Sequence, residues 1–266
     1  MLINMSLGLA IGVILALTGA GGGILAVPAL VFGAQQTVAQ AGPVGLLAVG
    51  MAAALGAILG LRAGTVRYRA AMLISAAGMV LSPLGLWLAQ RIDNRWLTVV
   101  FAIVLLLVAY RTYRQAGAAP SGPCAALDDA PPCIRNAATG RFRWTVPCAR
   151  ALALSGGVAG VLSGLLGVGG GFVMVPALRR YTDLAMQSVV ATSLAVIALV
   201  STTGVVSSAV AGTLDWAVAL PFCAGALAGM AGGRLVAGRL AGPLLQRSFA
   251  LLSSLVAVGM IARVLA

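Results

Sequence analysis

The residues in this chain best suited to chemistry are glycines. The run Gly19-Ala20-Gly21-Gly22-Gly23-Ile24-Leu25-Ala26-Val27-Pro28-Ala29-Leu30 returns as Gly167-Val168-Gly169-Gly170-Gly171-Phe172-Val173-Met174-Val175-Pro176-Ala177-Leu178. Each glycine disfavours helix by about 1 kcal/mol relative to alanine, and the proline that follows removes a backbone donor. Both runs sit inside strongly apolar sequence, so they predict unwound backbone at a depth where it survives only buried in protein or facing a watery cavity. Bare N–H groups there, with the positive end of a half-helix restarting at Ile24 or Phe172 pointing back at them, suit an anion. The plainer alternative is that the glycines only let two hairpins cross closely. A nucleotide cradle is excluded, because the first run lacks the last glycine of the dinucleotide fingerprint, follows no strand, and the chain has no lysine for a P-loop.

Side chains inside apolar sequence are the second source of ligands. They are Gln40 in the first half and Gln187, Ser188, Thr192, Ser193, Ser201, Thr202, Thr203, Ser207 and Ser208 in the second. Hydroxyls bind an oxyanion without a charge, but the common fate of Ser and Thr in a lipid-embedded helix is a bond to the preceding turn. The chain holds no histidine and no glutamate, and its carboxylates are Asp93, Asp128, Asp129, Asp183 and Asp215, none in the middle of an apolar run. That leaves little from which to build an enzyme, and no side-chain proton relay of the usual intramembrane kind. Of the four cysteines, Cys124 and Cys133 lack the spacing of a structural zinc pair. The thiols near them read as incidental to a flexible segment, with no metal and no cofactor expected.

The elements that must position these groups follow from composition. Hydrophobic residues make up 61% and charged residues 8% of the 266, against roughly 25% charged in a soluble domain. Lipid is therefore the natural solvent. A bilayer core about 30 Å thick asks for around 20 apolar residues per helix. Leu2 to Leu17, Val38 to Leu61, Ala70 to Ala89, Trp96 to Tyr110, Ala151 to Leu166, Met186 to Ala211, Trp216 to Gly233 and Leu244 to Ile261 are all nearly free of charge. They do not alternate apolar with polar as outer-membrane strands do, so they read as helices. The first run lacks the charged leader and cleavage site of a signal peptide and is kept as mature structure. The net charge of +12 sits on arginines at the ends of apolar runs and in one polar segment. That is a topology signal, and no nucleic-acid partner is expected. Rows of small residues four apart (Gly56, Gly60, Gly64; Gly156, Gly160, Gly164; Gly225, Gly229, Gly233) let helices approach closely in lipid.

The offset of 148 residues between the glycine runs also pairs Gly56 with Gly204, Ala63-Gly64-Thr65 with Ala211-Gly212-Thr213, Gly85 with Gly233, Arg91 with Arg239, and Phe101-Ala102 with Phe249-Ala250. The chain thus divides into a first transmembrane repeat (1–114), a polar linker (115–149) expected on the cytoplasmic side, and a second transmembrane repeat (150–266). Arg62, Arg67 and Arg69 follow the second helical segment of the first repeat, while the equivalent loop of the second carries only Asp215; Arg179 and Arg180 follow only the second glycine run. This flipped bias fits an all-α polytopic membrane protein of two inverted repeats, each with one re-entrant, Gly-broken segment plus three transmembrane helices. The competing arrangement, eight spans in parallel repeats, puts Arg179, Arg180, Arg234, Arg239 and Arg247 outside.

These motifs resemble the TauE/SafE sulfite exporter family, also called the four-toluenesulfonate uptake permeases. The resemblance rests on the doubled Gly-x-Gly-Gly-Gly-x-x-x-Val-Pro-x-Leu, on Ala191-Thr192-Ser193-Leu194, and on Gly212-Thr213-Leu214-Asp215-Trp216. The first repeat departs from it, with Pro43-Val44-Gly45 and Arg67-Tyr68 at the matching places. The resemblance implies a multi-pass carrier of the bacterial inner membrane for sulfite, sulfonates or similar small sulfur-containing anions. Carried over by matching residues, it implies substrate binding by Gly21, Gly22, Gly23, Pro28, Gly169, Gly170, Gly171, Pro176, Thr192 and Ser193. With no relay side chain, export down the membrane potential is the expected energetics, with the lipid bilayer and the anion as partners and a homo-oligomer as a possible assembly. The rival expectation is a scaffold or assembly factor for a metal or redox system that uses the linker cysteines. Serine at Cys124 and Cys133 should abolish that function and leave a carrier unharmed.

Overall fold

The structure is a computed structural model that describes residues 2–19, 21–117, 133, 145–182, 185–240 and 243–265. Among the described residues it is all helical. In chain order the helices are α1 (Leu2–Thr18), α2 (Gly21–Gly33), α3 (Val38–Arg62), α4 (Tyr68–Arg91), α5 (Asn94–Gly117), α6 (Val146–Leu166), α7 (Gly171–Tyr181), α8 (Met186–Val210), α9 (Trp216–Leu240) and α10 (Pro243–Leu265). Six of them, α3, α4, α5, α6, α8 and α9, are long and apolar enough to cross a membrane, as lipid-spanning backbone must satisfy its own polar groups. Side chains such as Leu2, Val80, Val210 and Leu255 are exposed on the outside of the bundle, where lipid is their solvent.

Local chemistry sets several of the helix ends. Thr37 caps α3 in a capping box with Gln40, which satisfies two otherwise unbonded N–H groups. Gln40, one of the polar candidates in the apolar runs, is therefore spent on that cap. Thr145 caps α6, with Pro147 in its first turn, and Gly167 closes α6 in the left-handed conformation with φ 67°. The helices take both ends of the segment read as linker, since α5 runs on to Gly117 and α6 already begins at Val146.

Helix pairing repeats between the halves. α1 packs on α9, and in the equivalent place α6 packs on α4; α3 packs on α8, and α5 on α10. The close pairs are glycine crossings of the kind expected in lipid. Gly8 and Gly12 lie on the backbone of α9 at Phe222 and Ala226, while Gly225 and Gly229 lie on α1 at Met5 and Leu9. Along α4 and α6, Gly156 meets Ile74, Gly160 meets Gly78, and Gly164 meets Ser82, so these two helices run parallel. Of the predicted rows, Gly60 meets Ala191 and Gly56 meets Met230 and Leu194, but Gly64 lies in open space.

Two ends of the bundle are distinguishable. At one, Val66, Ala70, Cys133, Cys148, Leu152 and Leu178 share a buried cluster, bringing together the α3–α4 loop, the start of α6 and the end of α7. At the other, Gly33 of α2 packs beside Leu7 of α1, and Gln36 Nε2 donates to Asp215 Oδ2 over 3.4 Å.

The cysteine expectation needs correction. Cys133 and Cys148 form a disulfide with a Cα–Cα separation of 5.1 Å, and both are fully buried. Cys133 N–H also donates to the Tyr181 carbonyl, so one link of the polar segment is pinned between the start of α6 and the end of α7. These two thiols are structural rather than incidental. Spacing could not reveal the bond, because it depends on α6 and α7 returning to the same place. Cys124 lies outside the described residues.

Candidate functional site

Both glycine runs break a helix, in different ways. At the first, α1 ends at Thr18 and Gly19 turns left-handed with φ 75°, its N–H donating to the Leu15 carbonyl. Helix resumes at Gly21. Gly21, Gly22 and Gly23 are therefore wound into α2 rather than unwound, against the expectation of a restart at Ile24. At the second, Gly167, Gly169 and Gly170 are all left-handed, with φ 67°, 77° and 65°, and α7 starts at Gly171. A Cβ at Gly170 would also stand 2.6 Å from the Ala159 carbonyl oxygen, so conformation and space both demand glycine there.

The prolines do not contribute to the unwinding as the sequence suggested. Pro28 and Pro176 lie inside α2 and α7. Both are followed by helix, so neither reaches the breaks. Pro28 is buried and Pro176 half-buried; what they remove is one intrahelical donor each.

The two breaks touch. A Cβ on Gly23 would stand 2.6 Å from the Val168 carbonyl oxygen, and the α3 backbone at Gly42 lies against Gly167. Val49 of α3 stands between them, its Cγ1 3.3 Å from the Cβ position of Gly23 and 3.7 Å from that of Gly169. Gly22 packs on the Leu15 backbone, where a Cβ would meet Leu15 N at 2.6 Å. In the first copy, then, the close-crossing role claims Gly22 and Gly23.

The start of α7 has a different character. Gly169, Gly170, Gly171 and Phe172 are buried, and among the described residues none of their N–H groups donates to a protein acceptor; Val173 N–H donates to the Gly170 carbonyl. The first N–H groups of any helix lack intrahelical partners, and aligned peptide dipoles add about half a positive charge there. No charged side chain belongs to the buried polar set of the described residues, which is made of Ser and Thr. Such a place favours an anion held by backbone and hydroxyl groups.

The candidate hydroxyls on α8 are both fully buried but are spent on fixing the frame. Thr192 Oγ1 accepts from the Arg67 N–H at 3.1 Å, tying α8 to the α3–α4 loop. Ser193 Oγ donates toward the Val190 carbonyl at 2.8 Å and lies 3.3 Å from the Gly19 carbonyl, holding the first break. Ser201, which the sequence offered only as one polar residue among many, reaches the second break. Its Oγ lies 3.1 Å from the Cβ position of Gly169, and it makes no hydrogen bond. Val49 gave no signal in the sequence, being one apolar residue in an apolar helix.

Comparison with known proteins agrees with this geometry at the level of class. The model of the family described as sulfite exporter TauE/SafE matches residues 5–260. The chain belongs to that family, and is a multi-pass membrane protein with a transport role rather than a catalytic one. It is 28% identical over 227 residues to "Probable membrane transporter protein YunE" of Bacillus subtilis, covering 83% of this chain and 82% of that one. It is 27% identical over 267 residues to a "Probable membrane transporter protein" of Xylella fastidiosa strain 9a5c, covering 99% and 95%. No solved structure matches the chain.

Proposed function

We propose that the protein exports small sulfur-containing anions (sulfite, a sulfonate or a similar organic acid) across a bacterial inner membrane, driven by the membrane potential. The observation that carries the anion reading is the buried start of α7, where unbonded N–H groups of Gly169 to Phe172 face no charged side chain among the described buried residues. A negative-inside potential drives each outgoing negative charge with about 2.3 kcal/mol per 100 mV, so efflux needs no intramembrane carboxylate or histidine.

The same proposal includes inverted repeats with two re-entrant hairpins. Three contacts support it: Gly33 lies beside Leu7, Cys133 joins the end of α7 to the start of α6, and the tips meet at Gly23 and Val168. Each hairpin then enters and leaves at its own end of the bundle, which brings both tips to the midplane in the manner of duplicated carriers. The end carrying Arg62, Arg67, Arg69, Arg179 and Arg180 is cytoplasmic by the positive-inside rule. The disulfide at that end argues for an oxidising side. We give the arginines precedence because five of them agree; the disulfide then stands at a reducing side, shielded by the burial of both cysteines.

The test uses the purified full chain in proteoliposomes loaded with labelled sulfite, thiosulfate or sulfoacetate. Collapsing the potential while holding the pH gradient should stop efflux. Undiminished efflux overturns the driving force, and failure of all three anions to move overturns the substrate class.

A further inference from the structure

Several hydroxyls in the described helices bond a carbonyl one turn back, as Ser155 does to Leu152, Thr202 to Leu199, Thr203 to Val200 and Ser254 to Ala250. Ser201 does not. It is 1% exposed and its Oγ has no partner, although the same back-bond is open to any helical serine. A buried polar atom left without a bond costs free energy and calls for a reason. Ser75, Ser82, Ser163 and Ser253 are also buried and unbonded, but Ser201 is the one seen against the second break. Its Oγ stands 3.1 Å from the Cβ position of Gly169 and 3.4 Å from that of Gly50. Ile197 Cγ2, at 3.0 Å, and Val49 Cγ1, at 3.7 Å, share the Cβ position of Gly169 with it, so the hydroxyl is the polar group among the side chains set against the left-handed backbone that leads into α7.

We propose that Ser201 is the specificity-determining side chain of the carrier. Its hydroxyl donates to an oxyanion whose other oxygens sit on the unbonded N–H groups at the start of α7. This rests on the anion-carrier reading above and deepens it. The ligand class is an oxyanion with at least two acceptor oxygens, one for the amides and one for the hydroxyl, bound without an arginine counter-ion. The position that corresponds to Ser201 at the repeat offset is Ala53, so the hydroxyl belongs to one break only. The carrier accordingly has a single, one-sided substrate site rather than two equivalent ones. Ser82, whose Oγ is 3.9 Å from the Cβ position of Gly204 one turn further along α8, extends the hydroxyl lining away from the break.

The test measures concentration-dependent sulfite transport in proteoliposomes for the full-length wild type, Ser201→Ala, Ser201→Cys and, as a control, Ser253→Ala, which deletes an equally buried, unbonded hydroxyl on α10. Loss of one hydrogen bond to a charged ligand predicts a half-saturating concentration raised about 10-fold or more in Ser201→Ala, a smaller rise in Ser201→Cys, and a change under about twofold in Ser253→Ala. The thermal midpoint of Ser201→Ala should not fall, because the hydroxyl it removes bonds nothing in the unliganded fold. If Ser201→Ala stays within about twofold of a wild type that transports, the assignment of Ser201 is wrong and the carrier reading stands. If Ser253→Ala matches Ser201→Ala, the effect is general loosening and the assignment is again wrong. If the wild type moves none of sulfite, thiosulfate and sulfoacetate, the carrier reading falls first and takes Ser201 with it.

Discussion

At the first glycine break the described residues show one left-handed position, Gly19, with Gly22 and Gly23 wound into α2 against Leu15 and Val168; at the second, Gly167, Gly169 and Gly170 are left-handed in turn and α7 begins only at Gly171. The surroundings differ in the same sense. Ser155, Ser163 and Ser201, and with them Ser75 and Ser82, correspond at the repeat offset to Leu7, Leu15, Ala53, Cys223 and Met230. The hydroxyls that line α4, α6 and α8 thus have apolar counterparts on α9, α1 and α3. A duplicated glycine code has yielded, among the described residues, one break with a single left-handed position and one with three, and the second has the unbonded Ser201 against it. Two like breaks in contact do not make two like sites, because the neighbouring helices decide which side chains meet them.

The strongest way to break this contrast is through the glycines themselves. Alanine at Gly167 places a Cβ against the Gly42 backbone, at a left-handed φ, whereas alanine at Gly19 meets only the Val190 side chain. Both carry a left-handed penalty of about 1–2 kcal/mol, but Gly167→Ala adds overpacking of roughly 1–3 kcal/mol against rigid backbone. The yield of monodisperse protein and its thermal midpoint should fall further for Gly167→Ala than for Gly19→Ala; equal losses would mean that the two breaks are equally tight.

The next largest effect concerns the clasp on the second hairpin. Cys133–Cys148 closes a separation of 15 residues, for which the loop-entropy estimate is about 3 kcal/mol. Cys148→Ser should lower the thermal midpoint, and reductant should lower that of the wild type but not of the variant. If the arginine end is cytoplasmic, a cysteine placed at the exposed Arg69 (Arg69→Cys) should be alkylated in intact cells only by membrane-permeant reagents. Labelling by an impermeant reagent would reverse the orientation. The disulfide also changes how the scaffold rival is tested, since Cys133→Ser now removes a structural bond. Cys124→Ser alone is the clean variant, and loss of transport in it would favour the scaffold.

Smaller effects separate frame from site on α8. Thr192→Val leaves the Arg67 N–H without its acceptor, a cost of about 1–3 kcal/mol. Ser193→Ala removes the contact with Gly19, a cost of about 1 kcal/mol. Both should appear in thermal midpoint with little change in half-saturating sulfite. A large rise in the half-saturating concentration at unchanged stability would return these two residues to the substrate site and weaken the case for Ser201.

Much of the architecture was legible because lipid imposes a coarse rule. Runs such as Val38 to Leu61 and Met186 to Ala211 lie within one residue of α3 and α8, since apolar length and helix length are the same constraint in a bilayer. The glycine rows marked the close crossings of α1 with α9 and α4 with α6 because small residues are the local means of bringing backbones together. Other features were illegible for equally local reasons. Pro28 and Pro176 suggested broken backbone, but a helix tolerates a proline where one lost donor is its main cost. Thr192 and Ser201 look alike as polar residues in an apolar helix, and nothing in the string says that one meets the Arg67 N–H and the other Gly169.

Residue order alone made legible the solvent, the central part of each apolar helix and the neighbourhood of the two helix breaks, because each depends on composition or on neighbours within a turn or two. Tertiary packing settled what each break packs against, which hydroxyls are already bonded, and that Cys133 finds Cys148. Those outcomes depend on contacts between helices far apart in the chain, such as α3 with α8 and α6 with α7's far end, and no spacing along the chain records distances across it.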